Sequence, residues 1–114
     1  MKEVVIVGGG ASGLFAAIAL KKMVGNNANI TIVERLEKIG KKILATGNGK
    51  CNFTNKNLSP RRYNNPKFVT PTLSKYGYKE IVEYLESIGL LSKEISEGRM
   101  YPYTESATTV LEVM

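Results

Sequence analysis

The run Val4-Val5-Ile6-Val7-Gly8-Gly9-Gly10-Ala11-Ser12-Gly13 places the strongest constraint on what this chain folds into. Four β-branched residues read as a strand buried on both faces, as in a parallel sheet, and the glycines end it. From Ala11 to Met23 the apolar spacing becomes helical, with Leu14, Ala17, Ile18 and the stem of Lys21 on one face. Gly25-Asn26-Asn27 supplies the stop, and a second apolar run, Ile30 to Val33, follows. Strand, glycine turn, helix and strand within about thirty residues predict a parallel βαβ unit with a right-handed crossover.

The turn matches G-x-G-x-x-G in the context that gives the pattern meaning. Gly8 permits the tight turn, Gly10 lets the backbone approach a pyrophosphate, and Gly13 lets the helix pack closely on the strand. With Ala11 and Ser12 they open a helix whose amino terminus directs unsatisfied N–H groups and partial positive charge at phosphates. Glu34 ends the second strand twenty-one residues after Gly13, where a carboxylate accepts hydrogen bonds from ribose hydroxyls. That carboxylate disfavours a 2′-phosphate, an effect that Arg35 beside it softens. The bland alternative is a flexible turn and an exposed acid; it leaves the shared register of strand, helix and acid unexplained. These residues point to the ADP half of NAD or of FAD and do not separate the two.

The 114 residues contain no histidine, tryptophan or aspartate. Ser-His-Asp and Cys-His machinery and imidazole metal sites are therefore excluded, and chemistry here rests on Lys, Glu, Tyr, Cys or a cofactor. The single cysteine, Cys51, allows no internal disulfide and no dithiol redox pair. The first residues lack the pattern of a secretory signal, and no apolar run is long enough to span a bilayer. A cytoplasmic chain without membrane contact is expected.

The net charge of +6 is unevenly spread. Residues 38–67 carry eight basic side chains, six asparagines and no carboxylate. Such a stretch is either a solvated loop or a surface that faces phosphates. It shows no clear period, and long irregular segments inside compact domains are usually functional or disordered.

Within it, Gly40-Lys41-Lys42-Ile43-Leu44-Ala45-Thr46-Gly47-Asn48-Gly49-Lys50-Cys51-Asn52-Phe53-Thr54-Asn55 resembles the hallmark of the BaiN-like, aminoacetone oxidase-like family of FAD-binding, NAD(P)/FAD-dependent oxidoreductases. The later run Glu97-Gly98-Arg99-Met100-Tyr101-Pro102-Tyr103 resembles a second segment of that family. The resemblance implies an α/β, Rossmann-like FAD-binding domain of the two-dinucleotide-binding flavoprotein type, present as its amino-terminal portion. It implies that Gly8, Gly10 and Gly13 meet the pyrophosphate and Glu34 the adenosine ribose, while Lys42, Thr46, Gly47, Asn48, Gly49 and Asn52 follow FAD towards the flavin. Lys41 or Lys50 could add charge neutralisation. The flavin would exchange hydride or electrons with a nicotinamide cofactor, NAD(P)H, or with an organic substrate. Cys51 is either a reactive thiol or a small residue packed beneath the loop, and packing is the simpler reading.

The expected organisation is one domain over 1–114: a βαβ unit over 1–35, a cofactor-facing basic loop and connector over 36–71, and a helix, a hairpin and the start of a further helix over 72–114. The connector is read at Pro60 to Pro71. A single amphipathic helix is read from Leu73, with Ile81, Tyr84 or Leu85, and Ile88 on one face and Gly89 as its stop. The hairpin turns at Glu97-Gly98; Tyr101 and Tyr103 either reach a ligand or pack in the core or hairpin, and packing is the simpler reading. Only two parallel strands are visible, so exposed sheet surface predicts self-association, a second chain or further sequence from the same protein. The leading functional reading is a flavin oxidoreductase portion acting on an undetermined small molecule. A non-catalytic nucleotide-binding module is the second, and RNA binding through the basic segment, which carries no recognisable RNA-binding motif, is the third.

Overall fold

In the computed structural model, which describes Met1–Met114, β1 (Lys2–Val7) and β2 (Ala28–Val33) pair in parallel, with Val4 opposite Ile30 and Ile6 opposite Ile32. α1 (Ala11–Val24) connects them and packs against both strands. The alternation is physical: Val4, Ile6, Ile30 and Ile32 are half-buried, while Val5, Val7 and Val33 face solvent. The expectation that β1 is buried on both faces is corrected. Val7 is 86% exposed, because the second face of this two-stranded sheet has no covering layer in the chain.

The core gathers around Leu14 of α1, and Ile32 of β2 packs against it. Leu14 of α1 joins Ile43, Cys51, Leu85, Leu90, Ala107 and Val110, drawn from α2 (Lys41–Ala45), the loop after it, α4 (Tyr78–Ser87) and the turn beyond it, and α5 (Ala107–Val113). Phe15 and Tyr84 add a tilted ring pair across the α1–α4 contact, with centroids 5.8 Å apart. Full burial of a Leu-sized side chain contributes about 1.5–3 kcal/mol, so this small cluster, rather than the sheet, ties the βαβ unit to the rest of the chain.

The basic segment is more regular than its composition predicts. α2 is followed by a 3-10 turn, Thr46–Gly49, and by the short strand β3 (Thr54–Asn55). A second 3-10 turn, Pro60–Arg62, precedes α3 (Pro66–Lys75). The connector read at Pro60 to Pro71 is therefore corrected: Asn65 caps α3 by accepting the Phe68 N–H, and Pro66 occupies its first turn, a start signal that outweighed the polar composition. The single helix read from Leu73 is also corrected, because α3 ends at Lys75 and α4 starts at Tyr78 behind Gly77. Leu85 is the buried residue of α4, with Ile81, Tyr84 and Ile88 half-buried on the same face.

β4 (Ser92–Glu94) and β5 (Arg99–Pro102) form the hairpin expected around Glu97-Gly98, and β3 completes an antiparallel sheet in the order β3-β5-β4. Both turn residues have positive φ, 53° and 77°. No helix is long and apolar enough to cross a membrane.

Candidate functional site

The glycine turn is locked at the carboxyl ends of both parallel strands. Gly8 has φ +102° and its N–H donates to Val33 O at 2.7 Å, which joins the turn to the end of β2. A Cβ on Gly13 would lie 1.9 Å from Gly8 O, so only glycine lets α1 approach the turn this closely. A Cβ on Gly10 would meet nothing within 4 Å. The side from which a pyrophosphate would approach is open.

No side chain caps α1, and its first backbone bond runs from Leu14 N to Gly10 O at 3.0 Å. The N–H groups of Ala11, Ser12 and Gly13 find no acceptor within the chain. Unsatisfied donors at a helix amino terminus, with the partial positive charge of the helix behind them, suit an anion.

Glu34 stands at the end of β2 with its carboxylate already oriented. Oε1 accepts the Leu36 N–H at 3.0 Å and Oε2 accepts the Gly9 N–H at 2.8 Å. The bond from Leu36, then that from Gly9, hold its carboxyl below the usual range against an opposing desolvation, with Arg35 adding a smaller effect. A carboxylate offers about four lone-pair positions, so both oxygens retain acceptor capacity for ribose hydroxyls.

A groove of about 440 Å³ brings Gly8, Gly10, Glu34, Arg35 and Lys42 together, and adds Lys38 and Lys41. Its lining contains backbone donors, a carboxylate and three ammonium groups in one concavity. A larger cleft of about 790 Å³, between α1 and the α3–α4 elbow, is lined mainly by apolar side chains such as Phe15, Ile81 and Tyr84, with one ammonium group, Lys75, against two carboxylates, Glu80 and Glu83, and no glycine turn. The chemistry of the lining, not size, selects the smaller groove.

The hallmark residues beyond Lys42 lie outside this groove. Thr46 donates its hydroxyl to Ile43 O at 2.6 Å. Gly47 and Asn48 adopt left-handed conformations, and a Cβ on Gly47 would press on Asn52 N at 2.7 Å and on the Tyr101 ring. Gly49 also has positive φ. With its nitrogen turned towards β5, the Asn52 amide donates to Met100 O at 3.2 Å and Thr54 O at 3.1 Å. These contacts brace the loop against the three-stranded sheet. Cys51 is buried in the core with φ +58°, in the packing role that was the simpler reading. Lys50 pairs with Glu105 at 3.3 Å, which also holds Lys93 at 3.0 Å, so Lys50 is engaged away from the groove.

Sequence reasoning missed Gly9, the free position of the fingerprint. It is buried, its N–H orients Glu34, and its carbonyl accepts the Gly40 N–H at 2.6 Å. A Cβ there would meet Ile39 Cγ2 at 2.7 Å. The only signal was a third consecutive glycine where the pattern asks for none. Lys38 was missed as well, because nothing local distinguishes it from a solvated lysine.

Open helix N–H groups, a glycine turn and a hydrogen-bonded acid at the ends of parallel strands define a Rossmann-type unit. The chain belongs to the family of the HI0933-like protein Rossmann domain, a family of FAD-binding oxidoreductases, which matches residues 2–114. It is 44% identical over its full length to the 3-dehydro-bile acid delta(4,6)-reductase of Clostridium scindens. It is 34% identical, over 98% of its length, to the ribosomal RNA dihydrouridine synthase of Haemophilus influenzae, and 28% identical over the same share to that of Escherichia coli. The chain spans 27–28% of the length of these relatives.

Proposed function

We propose that this chain is the FAD-binding portion of a flavin oxidoreductase, and that the groove at the glycine turn holds the ADP half of FAD. The observation that carries this reading is that Gly8, Gly10 and the oriented carboxylate of Glu34 line one groove, with the uncapped N–H groups of Ala11, Ser12 and Gly13 following directly after Gly10. The pyrophosphate would lie against Gly10 and the start of α1, with Lys38, Lys41 and Lys42 offsetting its charge. Glu34 would accept hydrogen bonds from the adenosine ribose. Thr46, Gly47, Asn48, Gly49 and Asn52 would support the cofactor further along, through the braced loop they form.

The flavin, when bound, supplies hydride and electron transfer, with NAD(P)H or an organic molecule as its partner. The protein supplies binding, orientation and charge. That division of labour suits a chain without histidine.

The test is titration of the purified chain with FAD, followed by heat stability and flavin absorbance, and then addition of NADH or NADPH. FAD should raise the melting temperature, and Glu34→Ala should weaken binding about tenfold or more, the range for hydrogen bonds to a charged group. Absence of any shift with FAD or ADP would reject the reading. A shift without bleaching by either nicotinamide would place the chain as a binding module whose chemistry needs other groups.

A further inference from the structure

The cleft between α1 and the α3–α4 elbow is separate from the groove at the glycine turn, and the two share no lining residue. Its volume of about 790 Å³ falls within the span of about 300–1,000 Å³ that small-molecule sites occupy. Three aromatic side chains, Phe15, Tyr76 and Tyr84, line this one concavity. On the α1 side Ala16 and Ala19 stand one turn apart and project no further than a methyl group, so a flat ring can lie close to the helix.

The tyrosine rings already attract cations. The Lys75 ammonium stands 5.2 Å from the centre of the Tyr76 ring, and the Lys22 ammonium 4.4 Å from that of Tyr84. Lys22 lies outside the cleft lining and donates to Ser87 Oγ at 2.7 Å, which leaves Lys75 as the one ammonium within the lining. Against that single charge the cleft holds two carboxylates, Glu80 and Glu83. Both are exposed, and neither takes part in the chain's salt bridges. Glu80 stands in the first turn of α4, where the helix amino terminus favours a carboxylate; Glu83, one turn further along the same face, has no such role.

A concavity with electron-rich ring faces and a surplus of one negative charge suits a ligand that is apolar, flat and positive. A charge spread over a planar group is less tightly hydrated than an ammonium and stacks better on an aromatic face, as guanidinium does relative to lysine. An anionic ligand of the same shape would meet Glu80 and Glu83. We propose that this cleft binds a small planar aromatic cation, of the quaternary pyridinium or acridinium class, stacked on Tyr76 in place of the Lys75 ammonium and held by the carboxylates of Glu80 and Glu83.

The experiment is fluorescence titration of the 114-residue chain with N-methylacridinium, and with 9-anthracenecarboxylate as the same ring system bearing a negative charge. The cation should bind about tenfold more tightly, two exposed ion pairs being gained and two repulsions avoided, and the preference should shrink as salt is raised. Glu80→Gln combined with Glu83→Gln should weaken the cation about fivefold and leave the anion no weaker. Lys75→Ala should tighten the cation, because the chain's own ammonium no longer competes for Tyr76; a lysine with a merely structural role would not have this effect. Ala16→Leu, at an exposed position of α1, should obstruct the cleft and lower affinity with circular dichroism unchanged, since leucine is a good helix former. No binding, equal affinity for the two ring systems, unchanged affinity in the Glu80/Glu83 and Ala16 variants, or displacement by ADP would overturn the proposal. Binding that fades as the chain is concentrated would overturn it too, by showing that a second copy covers the cleft.

Discussion

The Gly9 N–H donates to Glu34 Oε2 at 2.8 Å, which ties the glycine turn to the acid at the end of the neighbouring strand. The two halves of the dinucleotide fingerprint are thus one hydrogen-bonded unit before any ligand arrives. Gly40 N–H closes on the carbonyl of the same glycine, so the basic segment starts from this unit as well.

Gly9→Ala should therefore destabilise the chain and misplace Glu34. Its Cβ would lie 2.7 Å from Ile39 Cγ2 and 3.3 Å from Glu34 Cβ, and overpacking of this kind costs about 1–3 kcal/mol. Adding Ile39→Ala to Gly9→Ala should recover part of the loss. Urea midpoints of the single and double variants test this, and an unchanged midpoint in Gly9→Ala would count against the packing described.

Gly13→Ala should be more damaging, about 3 kcal/mol, because the atom it meets at 1.9 Å is the Gly8 carbonyl, a backbone group that cannot rotate away. Gly10→Ala meets open space and should leave the melting temperature close to the parent's. The two variants should separate in FAD titration too: Gly10→Ala should fold and bind weakly, whereas Gly13→Ala should lose stability first.

Stability should fall at acid pH. The carboxyl of Glu34 titrates lower in the folded chain than its ordinary value of 4.5, held there by the Leu36 and Gly9 N–H groups. Its contribution is present above that ordinary value and is lost as pH falls through the folded one. Glu94, paired with Lys56, and Glu105, paired with Lys93 and Lys50, are shifted the same way. Urea midpoints measured from neutral pH downwards should decline below pH 4.5, and Glu34→Gln should make that decline shallower without abolishing it.

Cys51 is 6% exposed within the core. A thiol reagent should label it slowly in native buffer and at once in denaturant. Rapid native labelling would show that the loop opens far more readily than its contacts suggest.

The uncovered face of β1 and β2, with Val7 at 86% and Val5 at 61% exposure, should drive concentration-dependent association of the isolated chain. Sedimentation should show species above monomer size, reduced in Val7→Lys. A monomer at every concentration would contradict this.

The βαβ unit was legible because its signals are local: β-branched runs, a glycine turn, a helical period and an acid at a set spacing each report through neighbours in sequence. The resemblance of Gly40 to Asn55 located the hallmark loop and pointed to Lys42, and residue chemistry marked Glu34. Legibility stopped where a residue's role depends on a distant partner. Gly9 matters because Ile39 fills the space where its Cβ would be, Lys50 leaves the groove because Glu105 holds it, and Asn52 is occupied by strand β5. Which face of β1 is covered is likewise a question of what packs where. Hydrophobic pattern and turn chemistry decide elements; only the packed chain decides which buried space and which polar groups remain for a ligand.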